Sequence, residues 1–227
     1  MPTLVLAAAI FSSHSAAGKD DEPGWPADDF DIDVRAVNEG ELRFLDSPPE
    51  QPVHHHHNRM EILSTSLADG WVRLNQCHSH LDPVPDTQIV YHPDRVRGLE
   101  IVSRSGIGRA RVEGHTIQME EIRRGARICI SADTRALSAG GKGRFLLKNG
   151  PFMRQFLDGF YPMHVTMEIR IPGPCLALRR VDPKPRPGFT LTEEPGVVYI
   201  DAWFEGRLTT AIEFEQIDAS DTGADGC

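Results

Sequence analysis

Residues 54–82 read HHHHNRMEILSTSLADGWVRLNQCHSHLD, and how this stretch folds back on itself decides the fold class. Asp69-Gly70 is a strong hairpin signal, because a tight two-residue turn demands positive φ and glycine accepts it. The runs on either side, Asn58 to Leu67 and Trp71 to His80, have strand-like composition. A two-residue turn sets Ala68 opposite Trp71, Leu67 opposite Val72, Thr65 opposite Leu74 and Leu63 opposite Gln76. The same register sets Glu61 opposite His78 and Arg59 opposite His80, with His57 beside Asp82. Near the turn this face is apolar, and away from it the face becomes ionisable. Register is set by such patterning, because a slip of one residue turns every side chain to the other face.

Residues two apart on a strand share a face. His78 and His80 are therefore expected to point the same way, and the same logic selects either His54 with His56 or His55 with His57. The register gathers His55, His57, His78, His80, Glu61 and Asp82 as candidate metal ligands. Neutral imidazole suits Zn²⁺, Cu²⁺ or Ni²⁺, and a carboxylate completes the shell or orients a ring. A three-residue turn exchanges the histidines, so that His56 replaces His57, and Met60 or Asn58 replaces Glu61 or Arg59. Both registers place two tract histidines on the face of His78 and His80. The competing reading is a solvated loop, since Ser47 to Val53 (SPPEQPV) is loop-like and leads into the tract. Cys77 falls on the face opposite His78, which makes it a disulfide partner or core residue rather than a ligand of the same ion. Ligation by unperturbed imidazole weakens as pH falls through about 6.5.

The same turn grammar recurs along the chain. Asn38-Glu39-Gly40 separates Phe30 to Val37 from Glu41 to Leu45, Glu113-Gly114 separates Ile107 to Val112 from His115 to Ile122, and Glu205-Gly206 separates Val197 to Phe204 from Arg207 to Phe214. Further strands are expected at Thr87 to His92, Val96 to Ser103, Ala126 to Ala132, Arg144 to Lys148 and Val165 to Pro172. Phe152 to Phe160 is the best helical candidate, with Phe152, Phe156, Leu157 and Phe160 on one face. Four hairpins define an all-β fold, an antiparallel sandwich or meander with at most one short helix. Residues 30–139 are expected to form a β module carrying the histidine clusters. Residues 140–217 form a second module or continue the same sandwich, and 218–227 is a polar tail.

Thr3 to Phe11 is a short uncharged apolar run, followed by small residues with Ser15 and Ala17 at the −3 and −1 positions of a cleavage site. Residues 1–17 thus have a signal-peptide outline, and 18–29 read as an acidic linker. The expected compartment is periplasmic or extracellular. The run is too short to span a bilayer and nothing later is long enough, so no transmembrane segment is expected in the mature chain. The net charge of −9 over 227 residues argues against nucleic acid, which needs clustered Lys and Arg. Four cysteines, Cys77, Cys129, Cys175 and Cys227, predict at least one disulfide in an exported chain, with Cys77 and Cys129 in strands that are potential neighbours. Asp201 with Glu205 is a weaker acid/base pair. Aromatic residues beside turns, such as Trp71 and Trp203, cap a core or stack on a sugar. Three function classes follow. The first is an exported, non-enzymatic binding or accessory protein holding a Zn or Cu ion. The second is an envelope metal-dependent hydrolase built on His78, His80 and Asp82 with a metal-bound water. The third is a structural or assembly factor that offers sheet edges to an envelope protein partner.

Overall fold

The computed structural model describes residues 38–156, 158–171 and 175–217. The signal-peptide outline, the acidic linker, the strand expected at Phe30 to Val37 and the polar tail lie outside the described residues. The rest is all-β. In chain order the strands are β1 (Arg43–Phe44), β2 (His55–Glu61), β3 (Trp71–Leu81), β4 (Asp86–Val90), β5 (Val96–Glu113), β6 (Thr116–Arg135), β7 (Leu137–Gly141) and β8 (Arg144–Phe152). They continue as β9 (Gln155–Phe156), β10 (Gly159–Phe160), β11 (Met163–Arg170), β12 (Leu176–Asp182), β13 (Phe189–Glu194), β14 (Val197–Glu205) and β15 (Leu208–Gln216). The one α-helix among the described residues is α1, a single turn at Ser66–Asp69. No helix among them is long and apolar enough to cross a membrane.

The main sheet runs β1-β14-β11-β2-β3-β6-β4, with β13 sharing β14's outer edge with β1 and β5 pairing the far edge of β6. A smaller sheet, β12-β15-β8-β7, packs over it. The core between them holds Met60, Leu74, Val165, Met167, Ile200 and Phe204 from the main sheet, and Leu147, Ile212 and Phe214 from the smaller one. Strands of both chain halves share this sheet and this core, because β11 lies directly beside β2 and β14 beside β11. One pair departs from the antiparallel expectation: β2 and β11 are parallel, with His55 beside His164 and His57 beside Thr166. A second cluster, centred on Ile117, Met119, Ile128 and Ile130, is built from β3 to β6 and their connections. All of these belong to one sheet, so the long β5–β6 arm must curl over itself to bury them. Ladder irregularities between Ser105 and Ile107, and left-handed Gly106, Glu121 and Gly125, supply the bend.

The expected Glu113-Gly114 hairpin forms as the tip of β5–β6, and the further strands appear within β4, β5, β6, β8 and β11. Two expectations fail. Glu205-Gly206 is not a hairpin, since β14 belongs to the main sheet and β15 to the smaller one. Gly206 makes that crossing at φ 85°, where a Cβ would meet the Glu41 carbonyl oxygen at 2.0 Å. The strand expected before Asn38-Glu39-Gly40 lies outside the described residues, and the strand after it, β1, pairs with β14. Phe152 to Phe160 is not a helix: Phe152 ends β8, and β9 pairs with β10. Phe152 and Phe160 are buried while Phe156 is 38% exposed, so the common helical face is not used.

Candidate functional site

The loop from Ile62 to Gly70 decides which histidines meet. Instead of a two-residue turn it contains α1, closed by Gly70 in the left-handed conformation. Ser66 Oγ accepts from the Leu63 amide and Asp69 Oδ1 from the Trp71 amide. These residues leave the ladder, so His78 stands opposite His56 instead of Glu61, a slip from position 61 to 56, or five residues. An odd slip exchanges the faces of β2. His54, His56 and Asn58 therefore join Gln76 and His78 on the core side, while His55, His57 and Arg59 line the outward side with Cys77.

The core-side residues form one polar network between the two apolar clusters. Gln76 Nε2 donates to Asn58 Oδ1 at 2.9 Å, and Tyr91 donates its hydroxyl to Gln76 Oε1. An amide oxygen only accepts, so His78 must carry its proton on Nε2, 3.0 Å from Gln76 Oε1. His78 Nδ1 then accepts from His54 Nε2–H at 3.0 Å, and His56 Nε2–H donates to Asn58 Oδ1 at 2.9 Å. The three rings are close, with centroids 4.2 Å apart for His56–His78, 5.2 Å for His54–His78 and 6.5 Å for His54–His56. Burial drives all three below the ordinary histidine pKa: His54 to about 4, His56 to about 3, and His78 well down, with the neighbouring imidazoles adding to the effect. They are neutral at pH 7. Asn58 Nδ2 is buried with no hydrogen-bond partner among the described residues.

The outward side is a second, separate constellation. Thr166 Oγ1 lies 2.7 Å from His55 Nε2 and 2.8 Å from His57 Nδ1. His55 stacks on His164 (4.1 Å between centroids), and His164 stacks on Trp203 (3.8 Å). His164 Nε2 is 3.3 Å from both carboxylate oxygens of Asp201. Burial lowers His55 to about 4 and also lowers His57. Burial raises the Glu168 carboxyl, but hydrogen bonds from Arg170 (2.7 Å) and Arg59 (3.0 Å) outweigh it and hold the group down.

The six residues expected as ligands are thus divided. His55 and His57 lie on the outward face and His78 on the core face. His80 has φ 54° at an irregularity of the β3–β6 ladder and is exposed, so it leaves the row of His78. Glu61 sits at the far end of β2 and pairs with Arg73 at 3.0 Å. Both oxygens of Asp82 are held by Arg154, at 2.6 and 2.9 Å. Among the described residues, no group of three or more His, Cys, Asp or Glu side chains stands at metal-ligand geometry. The sequence reading placed Asn58 on the histidine face only for the longer turn, and missed Tyr91, His164 and Thr166. The last two reach the tract only through the parallel β2–β11 pairing, which no local turn announces. Cys77 and Cys129 are direct cross-strand partners and form a disulfide, and no described cysteine is free.

No known protein family matches the chain, and no curated protein matches it. Among solved structures it is similar to a mutant M1 zinc metallopeptidase from Deinococcus radiodurans bound to a Tyr-Ser-Ala substrate, at 12% identity and a TM-score of 0.39, over 79% of this chain and 43% of that one. A two-domain M1 zinc metallopeptidase mutant bound to L-tryptophan matches at 12% identity and a TM-score of 0.38, over 79% and 44%. The chain spans less than half the length of either protein. Likeness at this level carries no argument about activity.

Proposed function

We propose that this chain is an exported, non-enzymatic binding or accessory protein that holds a Zn or Cu ion with His54, His56 and His78. One observation carries the reading: two histidines spaced His-x-His at the start of β2 meet a third directly across the ladder on β3, and all three are neutral. Three imidazoles are a known protein ligand set for zinc. The ion would replace the proton that His54 Nε2 and His78 Nδ1 now share, with that proton moving to His54 Nδ1. His56 would turn its ring nitrogen from Asn58 to complete the set. The Gln76 carbonyl, bonded to His78 Nε2–H, is the outer partner that fixes the ring's tautomer. Binding is preferred to hydrolysis because Asp82 is engaged by Arg154 and His80 leaves the row.

Export is supported by the Thr3 to Phe11 run and by the Cys77–Cys129 disulfide, a bond that persists in oxidising compartments. Intact mass of the protein recovered from its native host is expected to correspond to a chain starting near Gly18. A mass that retains Met1 to Ala17 would contradict export. The metal is tested by elemental analysis of protein purified without a metal column, followed by calorimetry with Zn²⁺ and Cu²⁺. His56→Ala and His78→Ala are expected to weaken binding far more than His92→Ala, and equal effects would sink the assignment.

A further inference from the structure

The outward face of the main sheet carries an open groove of about 200 Å³ lined by His57, Thr166, Thr190, Thr192, Tyr199 and Asp201. Strand register explains why these residues meet. Thr190, Asp201, Thr166 and His57 form one row across β13, β14, β11 and β2. Thr192, Tyr199, Glu168 and Arg59 form the next row. Within the described residues, the hydroxyls of Thr190, Thr192 and Tyr199 make no hydrogen bond. Tyr199 is 37% exposed, a large ring left open on a sheet face.

The chemistry of the groove narrows its ligand. Two carboxylates, Asp201 and Glu168, line the groove, Arg59 and Arg170 are both bonded to Glu168, and Arg127 bonds to Cys77 Sγ on the far side of His57, so the groove is poorly suited to an anion. An apolar ligand would find one ring and several unpaired hydroxyls, which burial would penalise. A ligand that offers both hydroxyl groups and a C–H face matches what is present. The volume is below the roughly 300–1,000 Å³ of drug-sized pockets, which suits one ring of a chain instead of a large compact molecule. Beyond the groove the second row continues through Asn75, Ser131 and Glu100, a polar track for further rings.

We propose that this face binds a neutral saccharide, with Tyr199 against the C–H face of a sugar ring, Asp201 accepting from ring hydroxyls, and Thr190 and Thr192 bonding to others. The site is on the face of β2 opposite His54 and His56, so it stands or falls independently of metal binding. The test is calorimetry of the full chain with neutral hexasaccharides: cello-, malto-, chito- and laminari-oligomers. Trp203 fluorescence is a second readout, because Trp203 stacks on His164 and His164 contacts Asp201. At least one oligomer is expected to bind, more tightly with increasing ring number. Tyr199→Ala and the mild double variant Thr190→Val/Thr192→Val are expected to weaken it by at least about tenfold, while Tyr199→Phe keeps most of it. Absence of binding to all four at millimolar ligand overturns the proposal. So does binding that these variants leave unchanged, or preference for an acidic oligosaccharide such as oligogalacturonate.

Discussion

Gln76 makes the core-side histidines a defined network instead of three buried polar accidents. Its carbonyl accepts from His78 and Tyr91, its amide donates to Asn58, and Asn58 in turn accepts from His56. Neutral imidazoles have a consequence for stability. The folded pKa values of His54 and His55, about 4, and of His56, about 3, lie below the unfolded value of 6.5. Between those limits the unfolded chain binds protons that the folded chain refuses, so folding weakens as pH falls. Stability is complete above about pH 6.5 and declines toward pH 4, and these groups add no further loss below about pH 3. Thermal melts of metal-free protein from pH 8 to pH 4 are expected to show a steadily falling Tm. A Tm that is flat or rising over this range would show that the histidines are not buried neutral. Burial also moves the expected pH dependence of ligation downward: with His54 held at about 4, His56 at about 3 and His78 well below its ordinary value, protons compete only at lower pH.

At the level of elements, β2 and β3 teach how far a local pattern reaches. The strands, their antiparallel pairing and the glycine at the turn were all legible in residues 54–82. The register was not, because LSTSLAD also satisfies a helical turn capped by Gly70, and α1 removes an odd number of positions from the hairpin. The apolar match of Leu63 and Leu67 with Val72 and Leu74 favoured the shorter turn. Met60 across from Leu74 serves the core equally well. Cys77, assigned to the face opposite His78, does lie there, and Cys129 stands directly across from it on β6. This disulfide closes a separation of 52 residues and ties β3 to β6. A cross-link of that span stabilises by about 2–4 kcal/mol, chiefly by restricting the unfolded chain. The double variant Cys77→Ser/Cys129→Ser is expected to lower the guanidinium midpoint accordingly, with an unchanged fold by circular dichroism. A midpoint within error of the parent would mean that the bond does not form in solution.

Taken together, the described residues form an all-β sandwich whose main sheet uses its two faces differently along one strand. The all-β class was legible because glycine turns and alternating strands are local signals. The sharing of one sheet by β2, β11 and β14 was not, since it depends on the parallel pairing of β2 with β11, His55 beside His164, which lie about a hundred residues apart in sequence. That non-local pairing also brought His164, Thr166 and Asp201 to the tract. The division of the histidine tract between faces is the central claim, and one experiment addresses it. Calorimetry with Zn²⁺ at neutral pH compares the parent chain with His56→Ala/His78→Ala and with His55→Ala/His57→Ala, each checked for folding by thermal melting. The first pair is expected to lose at least about a hundredfold in affinity, since it removes two of three ligands, and the second to stay within a few fold of the parent. Equal losses from both pairs, or a larger loss from His55 and His57, would show that the tract chelates as an undivided run and would contradict the account.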